Sequence, residues 1–405
     1  MSFNRASCLR RRVAIIFLLA PLTILIMQLP DPSADALQVS RELQSRIRQT
    51  ILANDGWISF SHYMQLALYT PSFGYYTGGA VKLGKDGDFT TAPEISPLFG
   101  ATLAQFAAEL FEGVPLHLLE FGAGTGKLAL DVLSAAAQAG VPVASYQIVE
   151  LSAELRERQQ RALAGFAEVE WLEVPPAAFT GLVVANEVLD AMPVPLLVKQ
   201  GGVWLERGVS LDQQQLVFAD RDCSSGMAEQ IPEATTLPDG YQTEIHPQQA
   251  AFVRMLSDML HAGHGGAALL IDYGFPAAEY YLPQRSGGTL MCHYRHHAHT
   301  DPFYLPGLQD ITSHVDFSAT ARAGLEAGLD VGFYMSQAAF LIAAGLPNLI
   351  DPQKAQDPSH WLPISNTIQR LTSPAEMGEL FKALLLVDRI EVPDHFLRQD
   401  QSYRL

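Results

Sequence analysis

Apolar residues recur at the spacing of one helix face early in the chain and gather into short runs further on. Residues 37–70 predict a helix on this pattern, and residues 98–113 predict a second one that ends at Gly113. The recurring apolar side chains of the first are Leu37, Leu43, Ile47 and Ile51. The stretches between these helices are rich in glycine and proline, so we expect loops there.

From residue 115 onward, short apolar runs alternate with helical patterns. The runs read LHLLEFG, SYQIVEL, GLVVANE and AALLIDYG, and the helical segments GKLALDVLSAAAQAG and AELRERQQRALAGF follow the first two. This alternation predicts an α/β fold, with a doubly wound, Rossmann-like parallel sheet and helices on both of its faces. Hairpin-like patterns at about 194–245 interrupt the alternation and predict an inserted β segment.

These patterns divide the chain into four segments. Residues 1–36 differ in composition from the rest, and residues 37–114 form an N-terminal segment of helices and loops. Residues 115–275 hold the core of the sheet with its β insertion. Residues 276–405 begin with a long irregular stretch and then complete the sheet.

Charge and cysteine content exclude several classes of protein. Lys and Arg number 26 against 43 Asp and Glu, and the net charge of −17 repels nucleic acid. The three cysteines, Cys8, Cys223 and Cys292, are far apart in the sequence, so we expect no disulfide framework and no Cys-x-x-Cys metal knuckle.

The first 36 residues have three interpretations. Three arginines at 10–12 precede an apolar run over 13–29, and Ala34-x-Ala36 follows, which is the order of a cleaved secretory signal. The run is also near the minimum length of a membrane anchor. Alternatively, translation begins at Met27 and the upstream residues are an artefact of the gene boundary. Because the remainder is typical of a cytosolic enzyme, we expect a cytoplasmic protein, with the anchored and exported forms as alternatives.

A glycine-rich turn follows the first predicted strand of the sheet. It reads Glu120-Phe-Gly122-Ala-Gly124-Thr-Gly126, and glycines there bring the backbone close to a ligand at a helix N-terminus. A dinucleotide fingerprint would need glycine at position 127, where this chain has Lys127. The E-x-G-x-G-x-G pattern is similar to the S-adenosylmethionine site of doubly wound methyltransferases. That cofactor has a carboxylate suited to backbone donors and an ammonium suited to an acidic group.

Two further strand ends carry polar side chains. Glu150 ends the run SYQIVE, and a carboxylate there can accept hydrogen bonds from ribose hydroxyls. The run LVVA leads into Asn186, Glu187 and Asp190, where open α/β sheets bind ligands. We expect Glu150 and Asn186 in the cofactor site, together with Glu120 and the three glycines of the turn. Alternatively, Glu150 is a solvated loop residue, and Asn186 or Asp190 caps the turn that follows.

Five stretches carry a family resemblance. They read GDFTTAPEISPLFG (87–100), EFGAGTGKLA (120–129), ANEVLDAMPV (185–194), IDYG (271–274) and HVDFSA (314–319). With them the chain resembles the MidA family of methyltransferases over about residues 37–390. The resemblance implies S-adenosyl-L-methionine as cofactor. It also implies a sheet that ends in an antiparallel strand pair, for which LDVGFYMS and FKALLLVDRI are the candidates.

The resemblance also indicates a substrate. The family is related to the mitochondrial complex I assembly methyltransferase, which dimethylates an arginine of a complex I core subunit symmetrically. An arginine acceptor is planar, cationic and rich in donors, so carboxylates suit its binding. The candidates are Glu187, Asp190 and Glu94, although Glu94 could instead cap the helix near Pro97. A non-catalytic assembly factor for a respiratory complex and a small-molecule methyltransferase are the alternative functions.

Four histidines lie within CHYRHHAHTDPFY, residues 292–304. The stretch follows the strand AALLIDYG and a long irregular segment, which predicts a substrate-side loop. A solvated loop without a role is one alternative. Metal binding by His297 with His299, or by His293 with His297, is another. We expect no metal, because no second cluster of Cys and His accompanies the stretch and methyl transfer needs none.

Overall fold

The computed structural model describes residues 29–78, 91–351 and 357–405, and residues 32–405 form one compact unit. The apolar run predicted over 13–29 lies outside the described residues, apart from Leu29. Within the described ranges no helix has the length and apolar character needed to span a bilayer.

Helices and strands alternate along most of the described chain. The helices are α1 (Ala34–Ala53), α2 (Phe60–Tyr69), α3 (Ala92–Ile95), α4 (Pro97–Leu110), α5 (Lys127–Ala139), α6 (Ala153–Ala162), α7 (Pro247–Ala262), α8 (Ala277–Tyr280), α9 (Phe317–Glu326), α10 (Gln337–Ala343), α11 (Pro358–Thr372), α12 (Met377–Leu380) and α13 (Asp394–Leu397). The strands are β1 (Trp57–Ser59), β2 (Leu116–Phe121), β3 (Val143–Val149), β4 (Val169–Leu172), β5 (Gly181–Asn186), β6 (Leu196–Gln200), β7 (Val203–Asp212), β8 (Gln215–Asp222), β9 (Gln242–Glu244), β10 (Gly266–Phe275), β11 (Met291–Tyr294), β12 (His297–His299), β13 (Asp310–Thr312), β14 (Val315–Asp316), β15 (Asp330–Ser336) and β16 (Phe381–Asp388).

The central sheet has the strand order β15–β16–β10–β5–β2–β3–β4, and β14 pairs with the end of β10. The strands from β10 to β4 run parallel to one another. At the other edge, β16 runs antiparallel to both of its neighbours, β10 and β15. They are the pair LDVGFYMS and FKALLLVDRI that the sequence predicted.

Helices cover both faces of this sheet. Neighbouring residues of each strand point to opposite sides, so each strand contributes to two separate cores. Leu118 and Leu269 belong to a core that includes residues of α4, α5 and α10. Leu119 and Leu270, the next residue of each strand, belong to a separate core with residues of α7 and α9. The parallel strands are therefore buried on both sides, and their carboxyl ends remain as the place for a ligand.

The predicted insertion forms a second, antiparallel sheet. Its order is β1–β7–β6–β9, and β8 pairs with β7. The prediction of a single helix over 37–70 is wrong, because the chain leaves the helix in the middle of this range. Asp55 and Gly56 adopt left-handed φ angles of 54° and 78°, so α1 ends before them and β1 and α2 follow. The sequence therefore did not reveal that the N-terminal segment contributes β1 to the inserted sheet.

The histidine-rich stretch contains regular structure. Strands β11 and β12 form a hairpin, and β13 pairs with the other edge of β11. Arg295 and His296 make the turn with φ angles of 47° and 64°. Two consecutive left-handed residues are typical of a tight hairpin turn, usually built from Asn and Gly, which explains why the sequence predicted only a loop.

Candidate functional site

A cavity of about 510 Å³ lies at the carboxyl ends of β2, β3 and β5. The strand ends contribute Glu120, Glu150, Asn186 and Glu187 to its wall. Further residues of the wall are Gln65, Tyr69, Tyr76, Glu94, Gly122, Gly124, Thr125, Lys127, Glu173, Phe252 and Met255. Most of the predicted site residues therefore share one cavity, and the N-terminal segment closes it with side chains that the sequence did not single out.

The glycine-rich turn requires glycine for two physical reasons. Gly122, Gly124 and Gly126 have left-handed φ angles of 65°, 55° and 83°. A Cβ atom on Gly126 would also lie 3.2 Å from Cγ of Gln159. Gly122 and Gly124 line the cavity, whereas Gly126 packs against Gln159 at the start of α5 and is not part of the wall.

Gln159 is a buried residue that the sequence analysis missed. Its side-chain amide nitrogen donates to the Gly124 carbonyl and to the Glu150 carboxylate, each at 2.9 Å. Its amide oxygen accepts from the Trp171 indole at 3.0 Å. Gln159 therefore connects the glycine-rich turn to the next strand end. No motif signals it, because it lies in the middle of a polar helix.

The acidic residues at the ends of β2 and β3 are both shielded from water. Glu120 is buried, accepts from the Tyr146 hydroxyl at 2.7 Å, and has its pKa raised by burial to about 7. Glu150 accepts from the backbone N–H of Ser152 at 2.8 Å, and burial raises its pKa as well. Desolvated carboxylates of this kind favour a cationic partner.

Glu187 follows β5 in a strained conformation. Its φ angle is 54°, which a non-glycine residue adopts rarely, and its N–H donates to the Ile271 carbonyl at 2.9 Å. Its carboxylate accepts from the Asn186 side-chain amide at 3.2 Å. Burial, and then the nearby charge of Asp190, raises the pKa of Glu187 to about 8. Such outliers cluster at functional sites, so the backbone supports the assignment of Glu187 to the chemistry.

Asp190 lies behind this wall and does not line the cavity. It is buried, and burial raises its pKa to about 6. The N–H groups of Leu189 and Asp190 donate at 3.0 and 3.1 Å to the carboxylate of Asp272 on β10. Asp272, 82 residues away from Asp190, therefore caps this turn. The side-chain oxygen of Asn186 has no hydrogen-bond partner among the described residues, so the alternative in which Asn186 caps the turn is wrong. For Asp190 the alternative stays open, because its carboxylate also interacts with the N–H of Ala191.

Glu94 belongs to α3 and reaches the glycine-rich turn. Its carboxylate accepts from the Thr125 hydroxyl and lines the cavity. The following helix α4 is capped by Ser96, whose hydroxyl accepts from the Leu98 N–H at 3.1 Å. The alternative in which Glu94 caps that helix is therefore wrong.

Two tyrosines complete the wall on the side of the N-terminal segment. Tyr69 donates to the Ala191 carbonyl and Tyr76 to the Asp310 carboxylate, each at 2.9 Å. Their rings stack with centroids 5.5 Å apart. The sequence gave no signal for either, because both partners are more than 100 residues away.

The charges of the wall suit a cationic ligand. Five carboxylates line it, those of Glu94, Glu120, Glu150, Glu173 and Glu187. The single lysine of the described wall, Lys127, forms an ion pair with Asp131. S-adenosylmethionine carries an ammonium and a sulfonium, and the left-handed glycine turn leaves room for its close approach. The residues present therefore fit this cofactor.

The histidine-rich stretch does not contribute to the wall. No residue of 291–304 lines the cavity. Over the residues that the structure describes, no group of three or more His, Cys, Asp and Glu side chains is arranged to hold a metal ion. That the stretch is a loop on the substrate side stays a prediction. Strand β13 of the same sheet carries Asp310, which accepts a hydrogen bond from the cavity residue Tyr76.

Comparisons with known proteins show the family and the cofactor. A family model described as "Putative S-adenosyl-L-methionine-dependent methyltransferase" matches residues 100–335. The mitochondrial protein arginine methyltransferase NDUFAF7 of Rattus norvegicus is 30% identical over 404 residues, which cover 90% of this chain and 88% of that protein. Its Drosophila melanogaster homolog is 28% identical and covers 88% and 87%. A crystal structure from Burkholderia thailandensis, bound to S-adenosyl-homocysteine, is 48% identical and covers 93% of this chain and 100% of that chain, with a TM-score of 0.87.

Proposed function

Because this chain belongs to the MidA family of S-adenosylmethionine-dependent methyltransferases, we propose that it methylates the side chain of an arginine in a partner protein. S-adenosyl-L-methionine is its cofactor. Relatives that align over most of the chain are named protein arginine methyltransferases, which supports the choice of acceptor. By the same relation we propose symmetric dimethylation and a substrate similar to a respiratory complex I core subunit.

One observation supports the proposal most: Glu187, whose pKa is raised and whose backbone is left-handed, lies in the same cavity wall as the glycine-rich turn. A buried carboxylate gains most from a permanently cationic guanidinium, which it can bind through two parallel hydrogen bonds. We propose that Glu187 and Glu94 orient this group. Asp190 then contributes indirectly, because its charge raises the pKa of Glu187.

The other side of the cavity is proposed to hold the cofactor. Glu120, Gly122, Gly124, Glu150 and Asn186 form its wall there, with Gly126 supporting the turn. The cofactor supplies an electrophilic methyl group on its sulfonium. The chain contributes positioning and charge, and after transfer a carboxylate with a raised pKa, such as Glu187, is suited to accept the proton that the methylated guanidinium releases.

The place of action is proposed from composition alone. The cytoplasmic location stays a prediction, because the relatives described above are named mitochondrial proteins and do not support it.

Radiolabelled cofactor tests the proposal. The protein is incubated with methyl-labelled S-adenosylmethionine and a lysate, and labelled proteins are hydrolysed to amino acids. We expect the label in dimethylarginine. Label in lysine, or in small molecules only, would show that the acceptor is not arginine. Cofactor binding without any methyl transfer would favour a non-catalytic assembly factor.

A further inference from the structure

Resting on the proposed arginine methylation, we infer that Tyr69 and Tyr76 form the surface that holds the acceptor's guanidinium and selects it over an ammonium. Both rings line the cavity that Glu187 lines. They come from the end of α2 and from the turn behind it, outside the strand ends that carry the glycine-rich turn and Glu150. The N-terminal segment therefore contributes to the acceptor side of the site.

The two rings are held firmly in place. The turn is tied back onto α2 by hydrogen bonds from the N–H of Tyr75 to Ala67 and from the N–H of Tyr76 to Leu68, at 3.0 and 2.9 Å. Each hydroxyl is anchored at its far end, on Ala191 or Asp310. Because both rings are fixed at backbone and hydroxyl, they lose little conformational entropy when a ligand binds against them.

The chemistry of this surface matches a planar cation. Burial, and then the charge of Asp310, raises the pKa of both tyrosines, so the rings stay neutral at physiological pH. A neutral aromatic face attracts a cation within about 6 Å of its centroid, and a guanidinium also stacks on it through its plane. An ammonium lacks that plane. Glu187 meets the charge of either cation, and the rings add a stacking contact that only the planar guanidinium makes.

Small cations separate this inference from the proposed function. Ethylguanidinium and ethylammonium chloride are titrated into the protein saturated with S-adenosyl-homocysteine, and binding is followed by ligand-observed NMR. We expect the wild-type protein to prefer ethylguanidinium. Tyr69→Leu and Tyr76→Leu should each weaken its binding by about 3- to 30-fold, whereas Phe at either position should stay within about threefold of wild type.

Two controls accompany the titration. Tyr403→Leu makes the same replacement at an exposed tyrosine outside the cavity and should change nothing. Affinity for S-adenosyl-homocysteine, measured calorimetrically, should be unchanged in all variants. If a Leu variant does not fold, Met at that position keeps most of the volume without the aromatic face and takes its place.

The possible outcomes are distinct. Wild-type protein that does not prefer ethylguanidinium would overturn the arginine acceptor itself. A wild-type preference that survives in the Leu or Met variants would overturn only the role of the tyrosines. A loss of S-adenosyl-homocysteine affinity in those variants would assign the rings to the cofactor and also overturn the inference.

Discussion

The side-chain amide of Gln159 donates to the Glu150 carboxylate at 2.9 Å, and the same nitrogen donates to the Gly124 carbonyl at the same distance. Two parts of the proposed cofactor site, 26 residues apart in the chain, are thereby held by one buried side chain. The geometry of the site depends on this residue, which need not touch the ligand.

We expect Gln159→Leu to lower the affinity for S-adenosylmethionine by about 10-fold, because a hydrogen bond to a charged group contributes about 1.5–3 kcal/mol. Isothermal titration calorimetry measures the change. Gln147→Leu is the matched control, since Gln147 makes its side-chain bond to Glu170 at the exposed surface and does not line the cavity. Equal affinities of the two variants for S-adenosylmethionine would show that Gln159 does not support the cofactor site.

Gly124→Val should reduce cofactor binding by more than about 100-fold while the fold persists. The φ angle of 55° disfavours any branched side chain, and the new methyl groups would stand on the cavity wall. Gly113→Val places the same side chain at a left-handed glycine with open space around it, outside the cavity. That control should lose some thermal stability and keep its affinity, as circular dichroism and calorimetry would show.

The parts of the site that the sequence predicted are those that follow strand ends. Gly122, Gly124, Glu150 and Glu187 each occur directly after an apolar run, so a local pattern was enough to place them together. The same reasoning placed Asp190 in the site, but Asp190 does not line the cavity, and its N–H donates to Asp272 on β10. A local pattern cannot give the direction of a side chain within a turn.

The rest of the site depends on contacts between distant segments. Tyr76 meets Asp310 across 234 residues, and Tyr69 meets Ala191 across 122. Neither tyrosine lies within a recognisable motif. The hairpin at 292–299 was hidden for a different reason, since Arg295 and His296 occupy turn positions where glycine or asparagine would have signalled a hairpin.

The raised pKa of Glu187 predicts a pH-dependent difference in stability between the wild-type protein and Glu187→Gln. The carboxyl is protonated more readily in the folded state, with a pKa near 8, than in the unfolded chain, where it is near 4.5. Its contribution to stability is therefore fully present below pH 4.5 and is lost as the pH rises through 8. We therefore compare the melting temperatures of the wild-type protein and Glu187→Gln. The wild-type value minus the variant value should fall by about 2–5 °C between pH 5 and pH 8.5. A difference that does not change with pH would show that Glu187 is not desolvated.

Methyl transfer should not depend on a metal ion. We expect the rate in excess EDTA to stay within about twofold of the untreated rate, because the wall of the cavity offers carboxylates suited to a cationic organic group and the histidines of 293–299 lie outside it. A filter-binding assay with labelled cofactor measures this. Inhibition that zinc reverses would contradict it, and His297→Ala would then be compared with His264→Ala, a histidine in a turn elsewhere.

Replacement of Glu187 by Gln tests most directly the claim that this cavity methylates arginine. The variant keeps the size of the side chain and removes its charge, so it should lose about 2–4 kcal/mol of transition-state stabilisation, a fall of about 30- to 1,000-fold in the rate of labelled dimethylarginine formation. Its affinity for S-adenosylmethionine should stay within about threefold of wild type. Undiminished formation of dimethylarginine by Glu187→Gln, with normal cofactor binding, would contradict the account.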